Sequence, residues 1–158
     1  MKLLLLTACL ALAQTITAAE ITTDDYYKSG ELFVSAAGVS RTSEKFKEFT
    51  SGAAVSAGWY FDRRVGIGVE AVSENTSSSF IDRGSIDARV RLIHGRLALN
   101  IVGGPAYDLE HDYVLAHAWA GPEYRFTKHI SVFVGAGWIG NLHDRNQIQG
   151  RAGLTASF

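Results

Sequence analysis

Past residue 19, apolar residues recur at every second position through eight runs, and this period of two constrains the chain more than anything else in it. The runs fall at roughly 31–40, 51–61, 65–74, 84–93, 96–106, 113–126, 130–140 and 147–158. Each is close to the ~10 residues that a tilted strand needs to cross a bilayer. One set of alternate positions is apolar in every run and holds no ionisable residue. Val34, Val55, Val69, Ile86, Ile101, Val114, Val134 and Leu154 represent it. The opposite set carries Ser35, Ser56, Glu70, Asp87, Arg89, Arg91, Asn100, His117, Glu123, Arg125, Gln149 and Arg151, with glycines between them. Phe33, Val102, Trp119 and Phe133 are its apolar exceptions.

Two closed barrels compete for such a pattern. A soluble barrel needs an apolar interior and a polar exterior. Here the clean face is the apolar one, and the charged face is crowded with glycine. Lipid outside and polar groups inside is the simpler assignment. In hydrocarbon no strand edge can stay unpaired, so the sheet must close. The predicted fold is all-β: a closed eight-stranded antiparallel transmembrane barrel, wound as an up-and-down meander.

Connections support this reading. Asp62-Arg63-Arg64, His94-Gly95 and Thr127-Lys128-His129 are short. The alternate links, near 41–50, 75–83, 107–112 and 141–146, read as longer and polar. Short periplasmic turns alternating with longer external loops would put both termini in the periplasm. Pro122 removes a ladder donor from a strand with two neighbours, which predicts a bulge at Gly121-Pro122.

The first 19 residues have the parts of an export signal: Lys2, an apolar stretch from Leu3 to Leu12, and small residues at Thr17-Ala18-Ala19. Leu6-Thr7-Ala8-Cys9 resembles a lipoprotein signal, but too little apolar sequence precedes the cysteine. The expected organisation is a signal peptide at 1–19, a short periplasmic lead-in at 20–30 and the barrel at 31–158. A cut after Ala19 removes the single cysteine. The net charge of −1 and the lack of a basic stripe give no case for nucleic acid.

Two stretches resemble known small outer-membrane barrels, among them the OmpA transmembrane domain, the opacity proteins and the OmpX/Ail group. The first is Ala120-Gly121-Pro122-Glu123-Tyr124-Arg125-Phe126 followed by Thr127-Lys128-His129-Ile130-Ser131-Val132. The second is the terminal Leu154-Thr155-Ala156-Ser157-Phe158. Its alternation and final phenylalanine resemble the signal read by the barrel-assembly machinery, carried by Leu154, Ala156 and Phe158. The resemblance implies a monomer in the outer membrane of a Gram-negative bacterium, with lipid and lipopolysaccharide as surroundings. It implies no cofactor and no particular activity, because this fold hosts unrelated functions.

Inside so narrow a barrel, charges must pair. Glu70, Asp87, Arg89, Arg91, Glu123, Arg125 and Arg151 are therefore read as a lumen network that closes the interior. A narrow gated pore is the alternative use of the same residues. A lipid A-modifying enzyme is the catalytic alternative. His129-Ile130-Ser131 has the spacing of a base and a serine nucleophile, with no carboxylate obviously near. His111-Asp112 and His143-Asp144 offer metal-capable side chains in two neighbouring loops, without diagnostic spacing. Arg41, Glu44, Lys45, Lys47 and Glu48 make the first loop mixed in charge, able to meet lipopolysaccharide phosphates. The leading expectation is a non-enzymatic barrel with a structural or surface-interaction role.

Overall fold

The computed structural model describes residues 26–43, 49–74, 80–109, 111–140 and 146–158. Eight strands follow one another: β1 (Glu31–Ser43), β2 (Phe49–Tyr60), β3 (Val65–Glu74), β4 (Arg83–His94), β5 (Leu97–Asp108), β6 (Tyr113–Arg125), β7 (Ile130–Gly140) and β8 (Asn146–Ser157). Each pairs antiparallel with the next, and β1 pairs with β8, so the sheet closes as an up-and-down barrel. The predicted signal at 1–19 lies outside the described residues.

The period of two becomes the two surfaces of the wall. Leu32, Val34, Val55, Val69, Ile86, Val114, Val134 and Leu154 are all exposed on the outside. Ser35, Ser56, Glu70, Asp87, Arg89, Asn100, His117, Gln149 and Thr155 are buried within. A chain with this exterior is stable only where apolar surface is the better solvated one, which makes it a membrane barrel. Ten to thirteen residues per strand, at ~3.3 Å each, suit a tilted crossing of the bilayer.

The strands overrun the loops anticipated for them. Links at the loop end shrink to 44–48, 75–82, 109–112 and 141–145, against 61–64, 95–96 and 126–129 at the turn end. The predicted length asymmetry is thus small, because continued pairing satisfies backbone groups that loops would leave to water. The tightest turn, at 95–96, has Gly95 at φ 59°, where a side chain would be strained.

The bulge expected at Gly121-Pro122 does not form. The β6–β7 ladder keeps one register from Ala120↔Ala136 to Glu123↔Phe133 and only skips the two pairs between. The same lapse occurs on β5, where Gly104-Pro105 faces Ile86 and Asp87 between Ser85↔Ala106 and Ala88↔Gly103. In both places the glycine lets the neighbouring backbone come close. A Cβ would sit 1.9 Å from the Ile86 carbonyl oxygen at Gly104, and 1.9 Å from that of Val134 at Gly121. Each proline therefore loses its ladder bond without an inserted residue.

Candidate functional site: the lumen network

The lumen holds its charges in layers along the barrel axis. At the turn end, Arg125 grips Glu31 with two bonds, Nη1 to Oε2 at 2.7 Å and Nη2 to Oε1 at 2.8 Å. Arg91 Nη1 reaches the same carboxylate at 2.9 Å. Glu123 accepts from Asn100 Nδ2 at 2.6 Å and from Ser131 Oγ at 2.7 Å. Both arginines also stand 3.7 Å from Glu123. Two carboxylates and two guanidiniums thus share one box. Charge-assisted bonds of this kind offset desolvation better than isolated pairs do.

Midway, Asp87 accepts from Ser85 Oγ at 2.8 Å and Arg89 Nη2 at 3.3 Å, and its Oδ1 lies 2.8 Å from His117 Nε2. Arg89 lies over the Phe33 ring at 4.3 Å. A step further, Arg151 holds Glu70 with both Nη atoms, at 2.7 and 3.2 Å, and lies over Trp119 at 4.6 Å. At the loop end Glu74 meets Arg41, and Arg83 at 3.3 Å. The space among Val39, Arg41, Glu74, Arg83 and Gln149 has no room for a water molecule. The roomy hollows, of about 650 and 710 Å³, lie on the outer wall and are lined by apolar residues such as Ala57, Val69 and Ile86.

All seven charges anticipated for the lumen are buried there, and each has an ionic partner. Five further members were not anticipated. Glu31 shares the parity of Phe33 and Ser35, so alternation alone could have found it. Arg83 and Arg41 lie where strands continue past their anticipated ends, and Glu74, the last residue of its anticipated run, shares the inward parity of Glu70. Tyr27 had no signal, because it precedes the first strand. It is 1% exposed and seals the turn end from below. Its ring lies 4.2 Å from Arg125 and 5.1 Å from Arg91, and its hydroxyl donates to the Arg96 carbonyl at 3.3 Å. Burial pushes its phenol well above the ordinary tyrosine range. Arg125 Nη1 also bonds the Tyr26 carbonyl, so the end of the lead-in is a stopper rather than a loose tether.

The His129–Ser131 pair does not assemble. His129 is exposed in a turn, with Nδ1 2.8 Å from the Ser157 carbonyl oxygen. Ser131 is buried and donates to Glu123. The carboxylate thought to be absent is therefore present, but it meets the serine directly and no base lies between them. At the loops, His111 Nδ1 faces Asp108 at 3.2 Å, and Asp112 accepts from the Tyr107 hydroxyl. Among the described residues no three metal-capable side chains converge. His143, Asp144, Glu44, Lys45, Lys47 and Glu48 lie outside the described residues. Leu154 of β8 and Phe158 just after it are exposed on the outer wall, and Phe158 exchanges backbone bonds with Leu32 at 2.9 and 3.1 Å.

A closed apolar-walled barrel with a paired ionic lumen defines a small membrane β-barrel of the eight-stranded class. Solved structures share its shape. The N-terminal β-barrel domain of Pseudomonas aeruginosa OprF matches with a TM-score of 0.62 and 14% identity, covering 83% of this chain and 99% of that one. Neisserial surface protein A matches with a TM-score of 0.52 and 14% identity, covering 81% and 96%. A de novo designed transmembrane barrel matches with a TM-score of 0.62 and 16% identity, covering 83% and 98%. No family model matches the sequence, and no curated protein does. The fold is therefore that of the small outer-membrane barrels, and it is shared with a de novo designed transmembrane barrel.

Proposed function

We propose that this chain is a monomeric, non-enzymatic barrel of the Gram-negative outer membrane, with both termini periplasmic. Its role is structural, or one of surface interaction through its external links, and its lumen is closed. The observation that carries this reading is the layered network from Glu31 to Glu74. Each charge in it has an ionic partner, and two bidentate pairs, Arg125–Glu31 and Arg151–Glu70, cross the bore, so an ion would have to break contacts at several levels. The lipids and lipopolysaccharide of that membrane are its surroundings, and the outward Leu154, Ala156 and Phe158 suit a strand presented to the assembly machinery. Residues 1–19 serve as the export signal.

Conductance in planar bilayers tests the closed lumen. We expect no unitary currents from the wild type, and none from Glu70→Gln or Arg151→Gln. Discrete steps in the wild type that either substitution changes would establish the pore instead. Mass spectrometry of lipid A from expressing and non-expressing cells tests the enzymatic alternative. We expect identical spectra, and gain or loss of one acyl chain would overturn the reading.

A further inference from the structure

The turn end of the barrel is ringed with exposed cations. Lys28, Arg63, Arg96 and Lys128 are exposed there and Arg64 is half-buried, with His94 and His129 beside them. Among the described residues of this rim, Asp62 is the one exposed side-chain carboxylate. Its Oδ1 is already engaged by the backbone N–H groups of Arg64 at 2.5 Å and Val65 at 3.3 Å. Asp62, Arg63, Arg64 and Ser29 line an open cleft of about 340 Å³, and both arginines also hold other partners. Immediately above, on the outer wall, stand exposed aromatics: Trp59, Phe61, Tyr124, Phe126 and Phe158. Trp59 packs edge-on against Phe61 and Tyr124 against Phe126, with centroids 5.0 and 5.1 Å apart.

Aromatics of this kind settle at the level of lipid headgroups. Arg63 follows Phe61 by two residues and Lys128 follows Phe126 by two, so at ~3.3 Å per residue the cations lie within about 7 Å of that level. Guanidinium groups favour phosphate through paired N–H donors, and lysine adds a point charge. We propose that this rim is a binding collar for anionic phospholipid headgroups, with the Ser29–Arg63–Arg64 cleft seating one phosphate. Given the periplasmic placement proposed above, the lipids are those of the inner leaflet. The aromatic girdle favours a lipid over a soluble polyanion, because only a lipid brings its phosphate to that depth.

The test uses the full mature chain, refolded in phosphatidylcholine vesicles containing spin-labelled phosphatidylglycerol or spin-labelled phosphatidylcholine. At low salt we expect the protein to retain the anionic lipid at least about fivefold more strongly, as expected for one or more basic side chains acting at the surface. The preference should fall as salt rises. In Arg63→Gln/Arg64→Gln/Lys128→Gln it should fall to near one, with folding checked by heat-dependent gel mobility. Equal retention of both lipids by the wild type would overturn the collar, as would a preference that survives the triple substitution. Loss of the preference to millimolar inorganic phosphate would make it a free-phosphate site and overturn the lipid. Selectivity seen only in Asp24→Asn/Asp25→Asn would mean that the chain's own acidic lead-in covers the rim. Binding to sedimented peptidoglycan in place of the lipid preference would make it a polymer site. Vesicle binding is independent of orientation, which is read separately. Labelling of Lys128→Cys by an impermeant maleimide in intact cells would refute periplasmic turns and leave the headgroup preference standing.

Discussion

The two ends of the lumen are closed in different ways. At the turn end, Glu31 is held by three bonds from two arginines, Glu123 completes the box, and Tyr27 and Tyr60 cover it with aromatic faces. Arg91 and Arg125 are 1% and 0% exposed there. At the loop end, Glu74 meets Arg41 and Arg83 with single contacts, and Arg41 keeps 22% of its side chain accessible. Aliphatic groups occupy much of the rest: Val39, Ala54 and Val72 on one side, Ala106, Leu115 and Ile139 on the other. A deeply buried box is costly to break, because one missing partner strands a charge that water cannot reach. Arg41 is itself partly open to water and Arg83 stays on Glu74, so losing Arg41 costs less. The turn end should therefore be the rigid half of the barrel and the loop end the tolerant one.

Four measurements put that contrast at risk. Arg125→Gln should have the largest effect, because it leaves Glu31 with Arg91 alone. A loss of about 3–5 kcal/mol is expected, read as a shifted urea midpoint in vesicles by tryptophan fluorescence. A shift no larger than that of a loop-end variant would mean that the two ends are equivalent. Tyr27→Ala comes next, at about 2–4 kcal/mol, since it removes a buried aromatic stopper and uncovers two guanidiniums. Hydrogen exchange should then rise in the first residues of β1 and not at the loop end, and uniform exchange would count against a local seal.

The third prediction concerns pH. Burial raises the Tyr27 phenol, so its neutral form is bound in preference by the folded barrel. The stability it adds is complete below the ordinary value of about 10. It is lost as pH rises from there towards the higher folded value. Between about pH 9 and 11.5 the wild type should lose stability more steeply than Tyr27→Phe, which cannot ionise. Parallel curves would mean that the phenol is open to solvent. Arg41→Gln should have the smallest effect, within about 1 kcal/mol, as for other partly exposed pairs. A larger loss in the same vesicles would show that the loop end is as rigid as the turn end.

How much of this was legible in the sequence differs by feature. The strands were, because a wall with lipid on one side and a packed lumen on the other forces strict alternation, and Val69 beside Glu70 is enough to orient β3. The membership of the network was mostly legible for the same reason, since Glu70, Asp87, Arg89, Arg91, Glu123, Arg125 and Arg151 share inward parity. Their pairing was not. Arg151 on β8 reaches Glu70 on β3 across the bore, a distance along the chain that no local pattern encodes. The expected bulge failed because a rule about one strand ignored its neighbour, where Gly121 lets β7 draw close and the register passes through unchanged.

The order of residues was thus enough to specify a closed membrane barrel and which side chains face its interior. Alternation is a local property, and hydrocarbon leaves no other way to pair every backbone group. Which acid meets which arginine, that Tyr27 folds back to seal one end, and that Ser131 meets Glu123 were settled only by the assembled barrel. Those depend on register and on contacts across the bore, which exist only once β1 has met β8.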